Sequence, residues 1–577
     1  MRLKVTRSKN AASLYVIKSV YNSKTQSNSS VIVEKLGTEA ELREKLNGQD
    51  PYEWAKNYIN ELNQMEKELK REVIVKYNQS KLIDKDKQRS FNGGYLFLQQ
   101  LYHQLGLHKI CKDISSKYKF SYNLDSILSR LIYGRILFPS SKLNTYQESK
   151  RLLEQPDFEI QHVYRALEVI AKENDFIQSE LYKNSLAVSK RNDRILYYDL
   201  TNYFFEIEEE DGLKQYGFSK EHKPNPIVGM GLFMDGDGIP LAFSVHSGNT
   251  NEQTTLKPLE EKILKDFNLS KFIVCTDAGL SSTENRKFND KKDRAFITTQ
   301  SVKKLKKHLK EWALDPTGWQ PSGENEFHDI RTLDKDEKIY EKYKEETFYK
   351  ERWIKEDGLE QKLIVTYSLK YRDYQRQIRK RQLERATTLI ETRPSTIKKK
   401  NQNDFKRFIS STNITKDGEV ADKTIYSLDE DVISGEEMFD GFYAVCTNLD
   451  DDATAITKIN HRRWEIEECF RIIKSEFKAR PVYLSRDDRI KAHFTTCFLA
   501  LVIYRYLEKY LGEKFTSHEI ISGLRNINFY SVPAEGYIPT YTRNDFTDAL
   551  HDVFGFRTDY QIVSLKEMKK IFKDTKK

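Results

Sequence analysis

At Arg194 the apolar residues begin to recur as short blocks and no longer at helical spacing. RILYYD is a short apolar strand. IVGMGLFM and IPLAFSVH read as two strands joined by DGDG at 235–238, NEQTTLKPLEEKILKDF reads as a helix, and KFIVCTDAGL is a further strand. A helix over about 283–290 and a strand, RAFITTQ, follow. The order strand, hairpin, helix, strand, helix, strand predicts a mixed α/β sheet. DGDG has the look of a calcium loop but lacks the later ligands and the closing Glu, so it reads as a hairpin turn. Asp199 and Asp277 each end one of the apolar strands, and in open α/β sheets the carboxyl ends of strands are where sites form.

The flanks have other textures. Up to about residue 40 the pattern alternates, with SLYVIKSVYN and SVIVEKLG flanking the polar turn SKTQSNS, a hairpin. A charged connector follows. From Gly93 to about Lys190, apolar residues fall at i, i+3 and i+4, the mark of helices; pattern alone leaves DNA binding and packing or dimerisation equally open for them. Past Ser301 the order breaks. An Asp357-Gly358 hairpin, a basic helical segment, the loop TIKKKNQNDFKRF and an Asp417-Gly418 turn read as an insertion, after which FDGFYAVCTNL resumes the core as a buried strand. A long apolar helix over about 491–510 comes last before a basic tail. The expected divisions are 1–85 (hairpin and connector), 86–192 (helical, DNA-binding), 193–300 (catalytic core), 301–438 (β-rich insertion with a basic helix), 439–511 (catalytic core resumed) and 512–577 (C-terminal region, dimerisation).

Composition narrows the class. The net charge of +9 suits a nucleic-acid partner, and its distribution matters more than its size. The five cysteines lie apart, several of them in apolar runs, and read as buried thiols of a reducing compartment. CFLALVIYRYL is too short for a membrane span, and the N-terminus has no apolar stretch of signal length, so a cytoplasmic protein is expected. No Gly-x4-Gly-Lys-Ser/Thr loop is present, so no nucleotide cofactor is expected.

NHRRWEIEECFRIIKSEF, residues 460–477, reads as one amphipathic helix. At about 100° per residue, Asn460, Arg463, Arg471 and Lys474 fall within roughly 40° of Glu467 and form a polar stripe. Ile459, Ile466, Phe470, Ile473 and Phe477 form an apolar stripe roughly 85° away, and Trp464 flanks the polar stripe on its other side. Such a helix packs on a core and aims one carboxylate along its edge. Alone, Glu467 reads first as part of a surface salt-bridge stripe, and either Asp first as a turn or N-cap residue. Three carboxylates that can converge make a hard, oxygen-rich site for Mg2+ or Mn2+, with no His or Cys to favour zinc. Two such ions about 4 Å apart activate a water or 3′-hydroxyl and stabilise the leaving oxygen of a phosphodiester.

At these residues the chain resembles the bacterial insertion-sequence transposases with an Asp-Asp-Glu active site. Their spacing of Tyr, two residues, Arg, three residues, Glu, six residues, Lys is met by Arg463, Glu467 and Lys474, with Asn460 at the Tyr position. YYDLTNYFFE is similar to the first-Asp motif, CTDAGLSS to the second, and RPVYLSRDDRIKAHFTTCFLAL to the segment after the Glu. The resemblance implies a ribonuclease-H-like catalytic domain interrupted by a mostly β insertion, with Asp199, Asp277 and Glu467 as catalytic metal ligands. It also implies cut-and-paste transposition by a homodimer that binds terminal inverted repeats and target DNA. Arg463 and Lys474 would then hold DNA phosphates, with Arg462 and Arg471 beside them, and Trp464 would stack on a displaced base.

Two basic segments add to this. SVKKLKKHLK carries five lysines, and Arg372, Arg376 and Arg379 repeat on one helical face, with Tyr371 and Tyr374 near them, as phosphate-tracking candidates. The rival readings are a metal-dependent nuclease that does not join strands, and a non-catalytic DNA-binding protein derived from a transposase.

Overall fold

The computed structural model describes residues 1–8, 11–22, 27–46, 48–69, 72–75, 77–321, 324, 326–393, 397, 404–414 and 423–577. The Asp417-Gly418 turn, the first four residues of SKTQSNS and most of TIKKKNQNDFKRF lie outside these residues. The chain divides into two compact units, Met1–Lys87 and Gln88–Lys577. In the first, β1 (Arg2–Arg7), β2 (Ala12–Asn22) and β3 (Ser27–Thr38) form an antiparallel sheet in that order. Thr38 caps α1 (Glu39–Lys45) in a reciprocal box with Glu41. Pro51 opens α2 (Pro51–Leu69), where its missing N–H costs nothing. Leu14, Leu42 and Ala55 form the small core.

The second unit begins with β4 (Ser90–Asn92) and six helices: α3 (Tyr95–Gln104), α4 (Leu107–Lys117), α5 (Leu124–Leu137), α6 (Lys142–Ser149), α7 (Ile160–Lys172) and α8 (Asn174–Val188). Next come β5 (Ile195–Phe204), β6 (Ile227–Asp235), β7 (Pro240–Ser247), α9 (Leu256–Asp266), β8 (Phe272–Thr276), α10 (Thr283–Asn289) and β9 (Arg294–Gln300). The stretch expected as an insertion contributes α11 (Lys307–Leu314), β10 (Gln320–Pro321), α12 (Glu337–Tyr343), β11 (Phe348–Glu356), β12 (Leu359–Tyr367), α13 (Leu369–Thr392), β13 (Ile409–Ile414), β14 (Lys423–Leu428) and α14 (Glu430–Glu437). The chain returns through β15 (Phe442–Thr447), α15 (Ala453–His461), α16 (Trp464–Arg471) and α17 (Asp487–Tyr510).

One sheet of nine strands organises the unit, in the order β10-β11-β12-β15-β9-β8-β5-β6-β7. Its centre is mixed: β5, β8 and β9 run parallel, while β6 and β7 turn back as hairpins. DGDG is the β6–β7 turn. The Asp235 carboxylate there accepts from the backbone of Asp237 and Ile239 and pairs with buried Arg191 at 2.6 Å. Helix α17 is buried along nearly its whole length, and one continuous core joins it to α3, α5, α7 and a face of the sheet. The helices between 86 and 192 therefore share their core with the sheet.

Three expectations need correction. The stretch 301–438 is not a β module apart: β15 pairs with β9 on one edge and with β12 on the other, so the β11–β12 hairpin lengthens the same sheet, and α13 is the longest element of the stretch. Asp199 does not end its strand. β5 continues five residues further because β6 pairs with it as far as Phe204↔Ile227. The helix expected over 460–477 is three pieces. At Arg462 and Arg463 the amides bond to carbonyls only three residues back, which separates α15 from α16, and Ile472–Glu476 forms a π turn.

Candidate active site

The register of two parallel strands builds the site. β5 and β8 pair Ile195↔Ile273, Leu196↔Val274 and Tyr197↔Cys275. Two residues on, this register carries Asp199, within β5, to the level of Asp277, the extended residue just past the end of β8, with the strands about 4.8 Å apart. Side chains alternate between faces. The Tyr197 hydroxyl donates to the Ile459 carbonyl of α15 (2.9 Å) and the Cys275 thiol to Asn460 Oδ1 (3.5 Å), whereas the Tyr198 hydroxyl donates to Thr255 on the opposite face (2.7 Å). Asp199 and Asp277 thus belong to the face that α15 and α16 cover.

Each aspartate is anchored by backbone. Asp199 Oδ1 accepts from the Leu200 amide (2.7 Å), and Asp277 Oδ1 accepts from the Leu280 amide (3.1 Å), closing the turn after β8. Burial pushes the Asp199 carboxyl up to about 6; Lys220 opposes this and the Asp277 charge adds to it. A buried acid held beside a like charge is in deficit of positive charge.

Glu467 does not complete a cluster with them. Its carboxylate is 60% exposed and pairs with Arg463 one turn back, at 3.5 Å. Among the described residues no group of three His, Cys, Asp or Glu side chains is placed to hold a metal ion. The expected convergence of three carboxylates is not formed in this structure, and Arg463, expected to face DNA, is the ion-pair partner of Glu467. Arg463 keeps a buried Nε with no hydrogen-bond partner.

Lys474 turns inward at the π turn. Its ammonium donates to Thr201 Oγ1 (2.7 Å), two residues beyond Asp199 on the same face, and lies 3.4 Å from Glu221. Burial lowers it to about 8, with the Lys220 charge adding and Asp199 opposing. Asn460, unexplained by the motif, is an interior residue: besides accepting from Cys275, it donates to the Tyr443 hydroxyl of β15 (2.8 Å). That bond ties the end of α15 to the sheet.

The other predicted DNA contacts separate. Trp464 is 59% exposed. Arg462 pairs with Glu465 (2.8 Å), and Arg471 with Glu468 and Ser517. Arg372 and Arg379 are buried, against Asp334 and Asp373 and against Asp440 respectively, so the expected basic face of α13 keeps only Arg376 of the three in the open. Sequence reasoning assigned no role to Lys220 or Glu221, which come from the β5–β6 loop. Their only trace is SKEHK, between the first-Asp motif and IVGMGLFM.

Residues 204–503, just over half of the chain, match the family profile described as transposase DDE domain. The chain belongs to the DDE transposase family. The matched stretch contains Asp277 and Glu467 and opens on β5, five residues after Asp199. No curated protein matches. A solved structure similar to this chain is that of piggyBac transposase, described as a synaptic complex with hairpin DNA; the identity is 8%, the TM-score 0.33, and the match covers 76% of this chain and 82% of that one. Family membership implies a nucleotidyl-transfer enzyme acting on DNA. No helix among the described residues of this DDE-family chain is long and apolar enough to cross a membrane.

Proposed function

We propose that the chain is the transposase of a bacterial insertion sequence, which binds the terminal inverted repeats, cleaves the DNA at both ends as a homodimer and joins the freed 3′-hydroxyls to target DNA. The observation that carries this reading is the pair Asp199 in β5 and Asp277 just past the end of the adjacent parallel β8, close enough for the Asp277 charge to act on Asp199, on the face covered by α15 and α16. The strand order β7-β6-β5-β8-β9 supports a ribonuclease-H-like core. Two neighbouring carboxylates whose charges repel, Asp199 the one pushed up by burial, are a hard-oxygen donor set and fit Mg2+ or Mn2+. Asp199 and Asp277 would hold the ions, and Glu467 would join them by exchanging its Arg463 pair for the metal. A bound divalent ion supplies Lewis acidity, sharpening the attacking oxygen and stabilising the leaving one.

The remaining work falls to this chain's cations. Lys474, held against Thr201 beside Asp199, would receive a phosphate oxygen near the scissile bond, and Arg463, released from Glu467, would turn its guanidinium to the same strand. Trp464, exposed at the start of α16, offers a stacking face to an unpaired base. The test is a strand-transfer assay with labelled linear DNA ending in the inverted repeats that flank the gene, in Mg2+. Joined product is expected. Cleavage with no joined product would make the chain a nuclease, and neither would reduce it to a DNA-binding protein.

A further inference from the structure

A second site lies outside the carboxylate pair. A cavity of about 330 Å3 opens between the α5–α6 turn and the segment that follows the π turn. Arg135, Lys142, Lys478 and Arg480 line it, and no carboxylate does. Lys142 is 5% exposed and makes no hydrogen bond or ion pair among the described residues. It is the first residue of α6, where the helix dipole already presents positive charge, and Ser141 caps the same end. Arg135 is buried beside it. Its Nη1 and Nη2 donate to the carbonyls of Phe477 (3.0 Å) and Ser140 (3.2 Å), and its Nε is buried without a partner. His493, with Nε2 3.1 Å from the Ala479 carbonyl, is held neutral by burial and by these two cations and contributes no compensating charge.

An unpaired ammonium buried at the positive end of a helix, next to a second buried cation, opposes folding three times over. Such an arrangement is relieved by an anion entering the cavity. Glu221 links it to the catalytic face, since that one carboxylate pairs with both Arg480 and Lys474.

We propose that this cavity is a phosphate-binding site that receives a backbone phosphate of the bound DNA, with Lys142 and Arg135 as its floor and Lys478 and Arg480 at its rim. The assignment to DNA rests on the transposase reading above; the anion site itself does not. Lys142 and Arg480 then register the strand on the catalytic face, through contacts that position it without reading bases.

The test uses the full chain and two variants, Lys142→Met, of matched length, and the exposed Lys478→Ala. Without phosphate, Lys142→Met is expected to melt at or above the wild-type temperature, because it removes an uncompensated buried charge. Inorganic phosphate is expected to raise the melting temperature of the wild type and not that of Lys142→Met. On repeat-end DNA, Lys142→Met is expected to lose about tenfold in affinity, and each variant to lower the slope of log affinity against log salt by about one. Unchanged affinity and slope in both variants, with the wild type binding DNA normally, would overturn the pocket assignment and leave the transposase reading standing. If the wild type binds no DNA while phosphate still protects it through Lys142, the transposase reading fails and the DNA assignment falls with it.

Discussion

Asp199→Asn tests the electrostatics of the carboxylate pair directly in the metal-free protein. Without metal, Asp199 is a buried acid whose carboxyl is pushed from 3.8 up to about 6, first by burial and then by Asp277. That is roughly two units at about 1.4 kcal/mol each, so the ionised group costs the folded state up to about 3 kcal/mol. Asparagine keeps the oxygen that accepts from the Leu200 amide but leaves a new amide to satisfy, at about 1 kcal/mol. The net expectation is stabilisation of about 2 kcal/mol. At about 2 cal/mol/K of unfolding entropy per residue, a unit this large gains only about 2 °C from it. The sign with pH follows from linkage. Below the unfolded value of 3.8 neither state is ionised and the variant melts slightly below the wild type, by the amide's cost alone; the difference turns in the variant's favour between 3.8 and about 6, and is complete above that. The assay is thermal melting in EDTA at pH 4 and pH 7.5, with cleavage in Mg2+ measured alongside. A variant no more stable than wild type at pH 7.5, or a gap independent of pH, would refute the placement of Asp199 beside Asp277.

Glu467→Gln should abolish cleavage while shifting the melting temperature by less than about 1 °C, because an exposed ion pair contributes under about 1 kcal/mol; a large loss of stability in melting experiments would make the residue structural. Arg379→Ala should cost about 3 kcal/mol, since it leaves the buried Asp440 carboxylate with only the longer Arg376 pair. Arg376→Ala should leave melting unchanged and weaken DNA binding in a salt-dependent way, as titrations at several salt concentrations will read. Asn460→Tyr, which restores the family's residue, should destabilise by about 1–3 kcal/mol by overpacking the buried seat between Cys275 and Tyr443; melting at or above wild type would show that this seat accepts the ring.

The strands and hairpins of the catalytic sheet were legible in the sequence because they are local. Alternating or continuous apolar runs bounded by turn residues name β6–β7 and β11–β12 without any distant contact. The end of β5 was not, because its last residues are strand only through β6. The angular stripe drawn over 460–477 assumed one uninterrupted helix, and two backbone irregularities break that geometry. Arg372, Arg376 and Arg379 have the spacing of a solvated basic face, and nothing near them in sequence announces that Asp440 will bury one end and Asp334 the other. Lys220, Glu221, Arg135 and Lys142 carry no signal of their own, since each matters through a neighbour far along the chain.

The sequence by itself determined the family and the elements that alternate in the sheet, and singled out Asp199, Asp277 and Glu467 as candidates for metal-assisted phosphoryl chemistry, because those are matters of residue type and local spacing. Tertiary structure alone decided which carboxylates stand together, that Glu467 pairs with Arg463 and not with a carboxylate cluster, and that Lys142 and Arg135 meet in a cavity lined by no carboxylate. Register between strands and burial of charge depend on which distant segments pack against each other, and only the folded chain brings those segments into contact.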